Sequence, residues 1–188
     1  LIASRLNIEG PIVKNRSSFI ISARRTYADL FTRLSRNKDL KDFKLFFYDL
    51  NVKTNYRIND KNRIFLSGYF GRDVFDFGST FGMDWGNSTG TLRLNHLFSD
   101  RLFSNSSLIF SNFDFKIFIT SGYEFSIISR IQDYSFKQDF QYFTGGNNSL
   151  KFGFNSIYRR IIPGAVTSSN NADLKDLINK YSWDNAFY

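Results

Sequence analysis

The stretch Phe43 to Ile58, FKLFFYDLNVKTNYRI, constrains the backbone more than any other part of this chain. Its even positions are Lys44, Phe46, Tyr48, Leu50, Val52, Thr54, Tyr56 and Ile58. The odd positions from Asp49 on are Asp49, Asn51, Lys53, Asn55 and Arg57. One set is aromatic and aliphatic, the other polar and charged. Successive side chains of a strand point to opposite faces, so this alternation is that of a strand. On a helix the same charges would scatter round the axis. The polar turn Asn59-Asp60-Lys61-Asn62 follows, then a second long run, Arg63 to Phe77. The pair reads as a long hairpin.

The unit repeats along the chain. Leu1 to Glu9 reads as the end of a strand, broken by Gly10-Pro11, with a turn at Val13–Arg16. Ser17 to Phe31 is the next strand, with Phe19, Ile21 and Ala23 opposite Ser18, Ser22, Arg24 and Thr26. Thr32 to Asp42 is a charged loop, and Gly78 to Asp84 a glycine-containing one. Strands are expected at Trp85–Ser99, Phe103–Thr120, Phe125–Thr144 and Ser149–Ile162. In Phe103–Thr120 the pattern is mixed. Phe113, Phe115, Ile117 and Ile119 oppose Asn112, Asp114 and Lys116, but Leu108 and Phe110 sit in the polar register, and a bulge would reconcile the halves. Pro163-Gly164 is expected to end the eighth strand. A short helix is expected at Ala172–Lys180, and Trp183–Tyr188 could begin a ninth strand.

These runs are longer than the ~5–6 residues usual for soluble proteins. A membrane-crossing strand needs ~9–11 residues, and the surplus would project beyond the bilayer. Short turns would lie at one end, at Gly10–Arg16, Asn59–Asn62, Ser99–Arg101 and Gly145–Asn148. The connections at the other end include two long ones. This is the outer-membrane barrel pattern. Composition agrees. Aromatic residues make up 19% of the chain with apolar content at 42%, so rings replace Leu, Ala and Val, which suits strands. Mean hydropathy is -0.31, and no run approaches the ~20 apolar residues of a membrane helix. The fold class expected is all-β: an antiparallel transmembrane β-barrel segment of about eight long strands, residues 1–163. Residues 164–188 would form an extracellular loop and the start of a further strand. The chain opens on Leu1 within a strand and reads as an internal piece of a longer protein.

Residues Ser4 to Leu30, SRLNIEGPIVKNRSSFIISARRTYADL, resemble the opening barrel hairpin of TonB-dependent outer-membrane receptors of the Bacteroidetes type. The phrases FFYDLNVKTNYRINDKNRIFLSGYFGRDVF and WGNSTGTLRLNHLFSDRLFSNSSLIFSNF look like the next strands of that family. The resemblance implies a larger, 22-stranded barrel in the bacterial outer membrane, with an N-terminal plug that this chain does not carry. It implies energised uptake of a large or scarce nutrient: an iron chelate, cobalamin or a glycan. Its implied partners are outer-membrane lipid, the plug, the TonB energy-transducing complex and a surface lipoprotein.

No catalytic constellation is visible, and neither an enzyme nor a cofactor is expected. Cysteine is absent, which removes thiolate sites and disulfides. The single histidine, His96, reads as a strand residue near a turn. Glu occurs only at Glu9 and Glu124, so no paired-carboxylate site emerges. The glycines of GYFGRD, Gly68 to Asp73, lie in a strand and not in a strand-to-helix turn, against a phosphate cradle. The net charge of +8 permits an anionic partner. Nucleic acid is not expected, because aromatic and charged residues fall on opposite faces. Arg24 reads as the partner of a neighbouring aspartate or as a lumen contact. Outward Arg25 would reach headgroups, with Tyr27 in an aromatic girdle. Asp49, Asn51, Lys53, Asn55 and Arg57 lead toward the short-turn end and would face a plug. Tyr69, Asp73, Phe81, Trp85 and Asn87 lie toward the other end, where ligand contacts are expected. Two other readings fit the alternation: a complete eight-stranded outer-membrane barrel with a structural or adhesive role, and a soluble basic β-domain binding nucleic acid.

Overall fold

The computed structural model describes residues 3–28, 43–78, 80–120, 124–145, 148–168 and 184–187. They form one antiparallel sheet of nine strands in simple sequence order. The strands are β1 Ala3–Val13, β2 Ser17–Thr26, β3 Phe43–Asn59, β4 Asn62–Phe77, β5 Phe81–Ser99, β6 Leu102–Thr120, β7 Glu124–Gly145, β8 Asn148–Ser168 and β9 Asp184–Phe187. The first eight run from 10 to 22 residues, long enough to cross a bilayer with strand to spare. No helix among the described residues is long and apolar enough to cross a membrane. The expected helix at Ala172–Lys180 and the loop at Thr32–Asp42 lie outside the described residues.

The turns follow from local chemistry. Asn15 takes φ 62°, a left-handed conformation that Asn tolerates, and the Arg16 N–H donates to the Val13 carbonyl at 3.0 Å. At the next hairpin Asn59 Oδ1 accepts from the Lys61 N–H at 3.0 Å and from Asn62 Nδ2 at 2.9 Å, closing an Asx-type turn.

Several boundaries differ from those the sequence suggested. Pro11 does not end β1, which runs to Val13 with its register shift between Pro11 and Val13. β1 is the edge of the sheet, where a residue without an N–H is tolerated. Pro163-Gly164 likewise does not end β8. The register passes from Arg130↔Ile162 to Ile128↔Ala165, so proline and glycine form a bulge inside a strand that continues to Ser168. Ser129 Oγ donates to the Ile162 carbonyl at 3.2 Å beside it. Residues 81–84 are strand, not loop. Phe81 pairs with both Phe77 and Ile119, and the Phe118 ring lies over Gly82, where a Cβ would collide with it. A ring laid over a strand glycine covers backbone that would otherwise be bare.

Cross-strand partners share a face, so the register assigns every side chain to one of two sides. The Leu50 face carries Ala23, Leu50 and Phe70 in one row and Ile21, Val52, Phe110, Tyr134 and Tyr158 in the next. Leu66, Leu92, Leu108 and Phe136 follow below. The Asn51 face carries Ser22, Asn51, Tyr69, Thr89, Ser111, Asp133 and Arg159 in one row. Among the described residues there is no buried hydrophobic side chain at all; the buried ones are Ser17, Thr26, Ser104 and Ser107. Leu66 is 52% exposed, Leu108 55% and Phe154 57%. A soluble single-layer sheet has nowhere to put such a face.

Candidate functional site: a wall whose polarity inverts

Toward the short turns the Leu50 face is apolar and the Asn51 face polar. Toward the opposite ends of the strands the two faces exchange character. The Leu50 face becomes charged there. Arg72 reaches Asp84 and, at 3.3 Å, Asp114, while Lys44 Nζ meets Asp76 at 2.9 Å. Gln132 Nε2 donates to Asn112 Oδ1 at 3.0 Å beside them. The Asn51 face becomes aromatic. Its upper rows read Phe43–Phe77–Phe81–Ile119, Leu45–Phe75–Met83–Ile117 and Phe47–Asp73–Trp85–Phe115. Phe43 meets Phe75 edge-on with centroids 5.3 Å apart and Phe77 at 5.9 Å; Phe75 meets Phe81 at 6.2 Å. Such geometries are the favoured ones for ring pairs.

β6 shows the inversion within one strand. Its pairing with β7 is unbroken from Leu102 to Thr120, and its register with β5 shifts only at the turn between Leu97 and Ser99. The bulge expected between Phe110 and Phe113 is therefore absent. The strand is regular, and its apolar side chains move from one face to the other. Phe113, Phe115, Ile117 and Ile119 accordingly share the Asn51 face, not the face of Leu108 and Phe110.

The residues singled out from the sequence fall on this frame. Arg24 is the register partner of Asp49, and Nη2 sits 2.6 Å from Oδ2 while Nε donates to the same oxygen at 2.7 Å. The guanidinium also lies 4.8 Å over the Phe47 ring. Asn51, Lys53, Asn55 and Arg57 continue down β3 on the same face, and Asn55 Nδ2 donates to Ser18 Oγ at 2.7 Å. A shallow hollow of about 530 Å³ on this lower wall is bordered by Asn105, Lys137, Asp139, Lys151 and Asn155, with Lys137 3.2 Å from Asp139. Arg159 grips Asp133 with two parallel bonds of 2.8 and 2.7 Å. Tyr69 and Asp73 from β4, and Phe81, Trp85 and Asn87 from β5, all project from the Asn51 face. Asp73 is directly opposite Trp85, and Asn87 opposite Gly71.

Arg25 lies on the Leu50 face, its guanidinium 5.3 Å from the Phe46 centroid and 5.6 Å from that of Tyr27. Tyr27 Oη is 2.9 Å from Ser4 Oγ. His96 stands in a strand beside a turn, Nδ1 2.6 Å from Asn62 Oδ1 and its ring edge-on to Phe98.

Sequence reasoning missed Phe43, Phe47, Phe75, Phe77, Phe113 and Phe115 as members of the upper wall. The signal was present. Phe43, Leu45 and Phe47 occupy the odd register of β3 that turns polar at Asp49, and β6 switches register in the same way.

One open meander sheet, with an apolar band on one face and charged rows behind it, is the architecture of a segment of β-barrel wall. Among solved structures, the ferric preacinetobactin receptor BauA from Acinetobacter baumannii has this fold, superposing with a TM-score of 0.62 over 91% of the present chain at 10% sequence identity. The chain spans 32% of the length of that receptor chain. At that identity the likeness is one of fold. No protein-family model and no curated protein matches the sequence.

Proposed function

We propose that this chain is part of the barrel wall of a TonB-dependent outer-membrane receptor, of the Bacteroidetes type that its sequence resembles. In this reading the Leu50 face meets lipid and the Asn51 face lines the lumen. The carrying observation is the exposed apolar band backed by charged rows, on a sheet whose fold is also found in the ferric preacinetobactin receptor. The lower lumenal rows, from Asp49 to Arg57 with Arg24, face the plug of the complete 22-stranded barrel. The upper aromatic wall faces incoming cargo, a large or scarce nutrient such as an iron chelate, cobalamin or a glycan. The charged upper part of the Leu50 face then stands above the hydrocarbon. The wall itself does no chemistry, and TonB energises the import.

Two rivals fit less well. A complete eight-stranded barrel needs β8 to pair with β1, whereas the free edge of β8 is taken by β9. A soluble β-domain has to cover the Leu50 face. The deciding experiment is the intact mass of the native protein extracted from outer membranes in detergent. A species several times 22.0 kDa whose peptides include this sequence is expected. A folded detergent-soluble species of 22.0 kDa would sink the receptor reading in favour of a small self-contained barrel.

A further inference from the structure

Among the described residues, the upper lumenal wall carries one charge without a partner, Asp73. Asp73 makes no hydrogen bond or ion pair among the described residues. The cations close to it in sequence and register point the other way. Arg72 is on the Leu50 face with Asp84 and Asp114, and Lys116 lies over Phe118 on that same face. On the Asn51 face the cation closest in the register is Arg24, held by Asp49 two strands away with its guanidinium 4.8 Å over the Phe47 ring. Asp73 is surrounded instead by rings. Phe47 and Trp85 are its register partners on either side, and Phe75 follows two residues on along β4. From below comes Tyr69, whose phenol lies over Gly71 so closely that a Cβ there would overlap it. The glycine thus lets a fourth ring lean along the strand toward the carboxylate.

A carboxylate flanked by aromatic side chains has a specific complement. The faces carry negative quadrupole charge and attract a cation, most strongly one whose hydration is weak. The carboxylate adds its own charge and accepts hydrogen bonds. An anionic ligand would be repelled by both. A neutral sugar would stack on the rings and donate hydroxyls to the carboxylate, but only a cation also answers its charge. We infer that Asp73, with Tyr69, Phe75 and Trp85, forms a subsite for a substituted ammonium group. The cargo of this receptor, on the reading above, carries such a group. Asn87, one row below Trp85, offers a neutral hydrogen-bonding group at the rim.

The test uses the native protein purified in detergent, with choline as probe and its neutral isostere 3,3-dimethylbutan-1-ol as comparison, titrated by calorimetry. Choline is expected to bind about tenfold more tightly than the isostere. Asp73→Asn is expected to cut that preference to about threefold, the rings keeping the remainder. Trp85→Ala is expected to weaken choline about tenfold, and Trp85→Phe to keep most of the affinity. Retention of the folded, heat-modifiable gel band by each variant separates lost binding from lost fold. Equal affinity for choline and its isostere in the unaltered protein, no measurable binding of choline, or a preference undiminished by Asp73→Asn would each overturn the subsite. The receptor reading stands or falls separately, on the native mass. A choline preference in a 22.0 kDa species would leave the subsite and remove the import.

Discussion

At the scale of single residues, the two glycines Gly153 and Gly90 give opposite expectations. Gly153 faces Asp139 across β7 and β8, and a Cβ there would run into the carbonyl oxygen of Gln138. That oxygen belongs to the backbone, so the strand pair itself has to give. Gly153→Val should cost about 1–3 kcal/mol. Gly90 has nothing within 4 Å of an added Cβ, and Gly90→Val should be neutral or slightly favourable, since β-branched residues suit strands. Urea titration of the two variants in the same detergent checks the difference, and equal costs would contradict the register. The two arginine–aspartate pairs of the Asn51 face should also differ. Arg159 holds Asp133 as a two-pronged fork, while Arg24 places both its contacts on one oxygen of Asp49 and is 49% exposed. Double-mutant cycles should return a coupling of about 1 kcal/mol for the first and about half that for the second.

At the scale of the strand, β6 carries the sharpest prediction, because its polarity reverses without a break in register. Leu108 and Asn112 are on the same face, one within the apolar band and one above it. Leu108→Arg should destabilise the folded protein in lipid by about 2–4 kcal/mol, and Asn112→Arg by about 0–1 kcal/mol, following depth in the bilayer. Folding titrations into lipid vesicles would read both, and similar penalties at the two sites would refute the inversion. The same strand shows how far the sequence could be read. Period 2 was plain in Phe43–Ile58 and in Phe125–Thr144, so the strands and their two faces were legible. What alternation cannot report is which medium each half of a face meets. Phe113 and Leu108 look alike in a sequence, and only continuous pairing with β7 places them on opposite sides. Proline was misread for a related reason. Pro11 lies at a free edge and Pro163 in a bulge, two places where its missing N–H costs no ladder bond, and neither context is visible before the neighbours are known. In the candidate site, Tyr69, Asp73 and Trp85 were legible as strand residues toward the long-loop end. The ring of Phe47 was not, since it reaches Asp73 only through the β3–β4 register.

At the scale of the whole molecule, the absent core decides where these strands can be stable. Burying a side chain such as Leu or Phe away from water is worth about 1.5–3 kcal/mol, and it is the main term that offsets the entropy of ordering a chain. Among the described residues no hydrophobic side chain is buried by protein, and Leu6, Leu66, Leu92, Leu108, Leu150 and Phe152 stand open on the Leu50 face. Backbone pairing alone contributes too little net free energy to hold a sheet of this size in water. On the proposed reading the missing burial comes from hydrocarbon on that face. The two edges of the described sheet, β1 and β9, are open, and open edges invite aggregation. The 188-residue segment on its own is therefore expected to remain aggregated in aqueous buffer. It should gain protease resistance and a defined β-sheet circular-dichroism signal only in detergent micelles or vesicles. Sedimentation and limited proteolysis with and without detergent would check this. A monodisperse, protease-resistant 22.0 kDa species in plain buffer would mean that the Leu50 face is covered by protein after all, and that the band is a core in waiting and not a membrane surface.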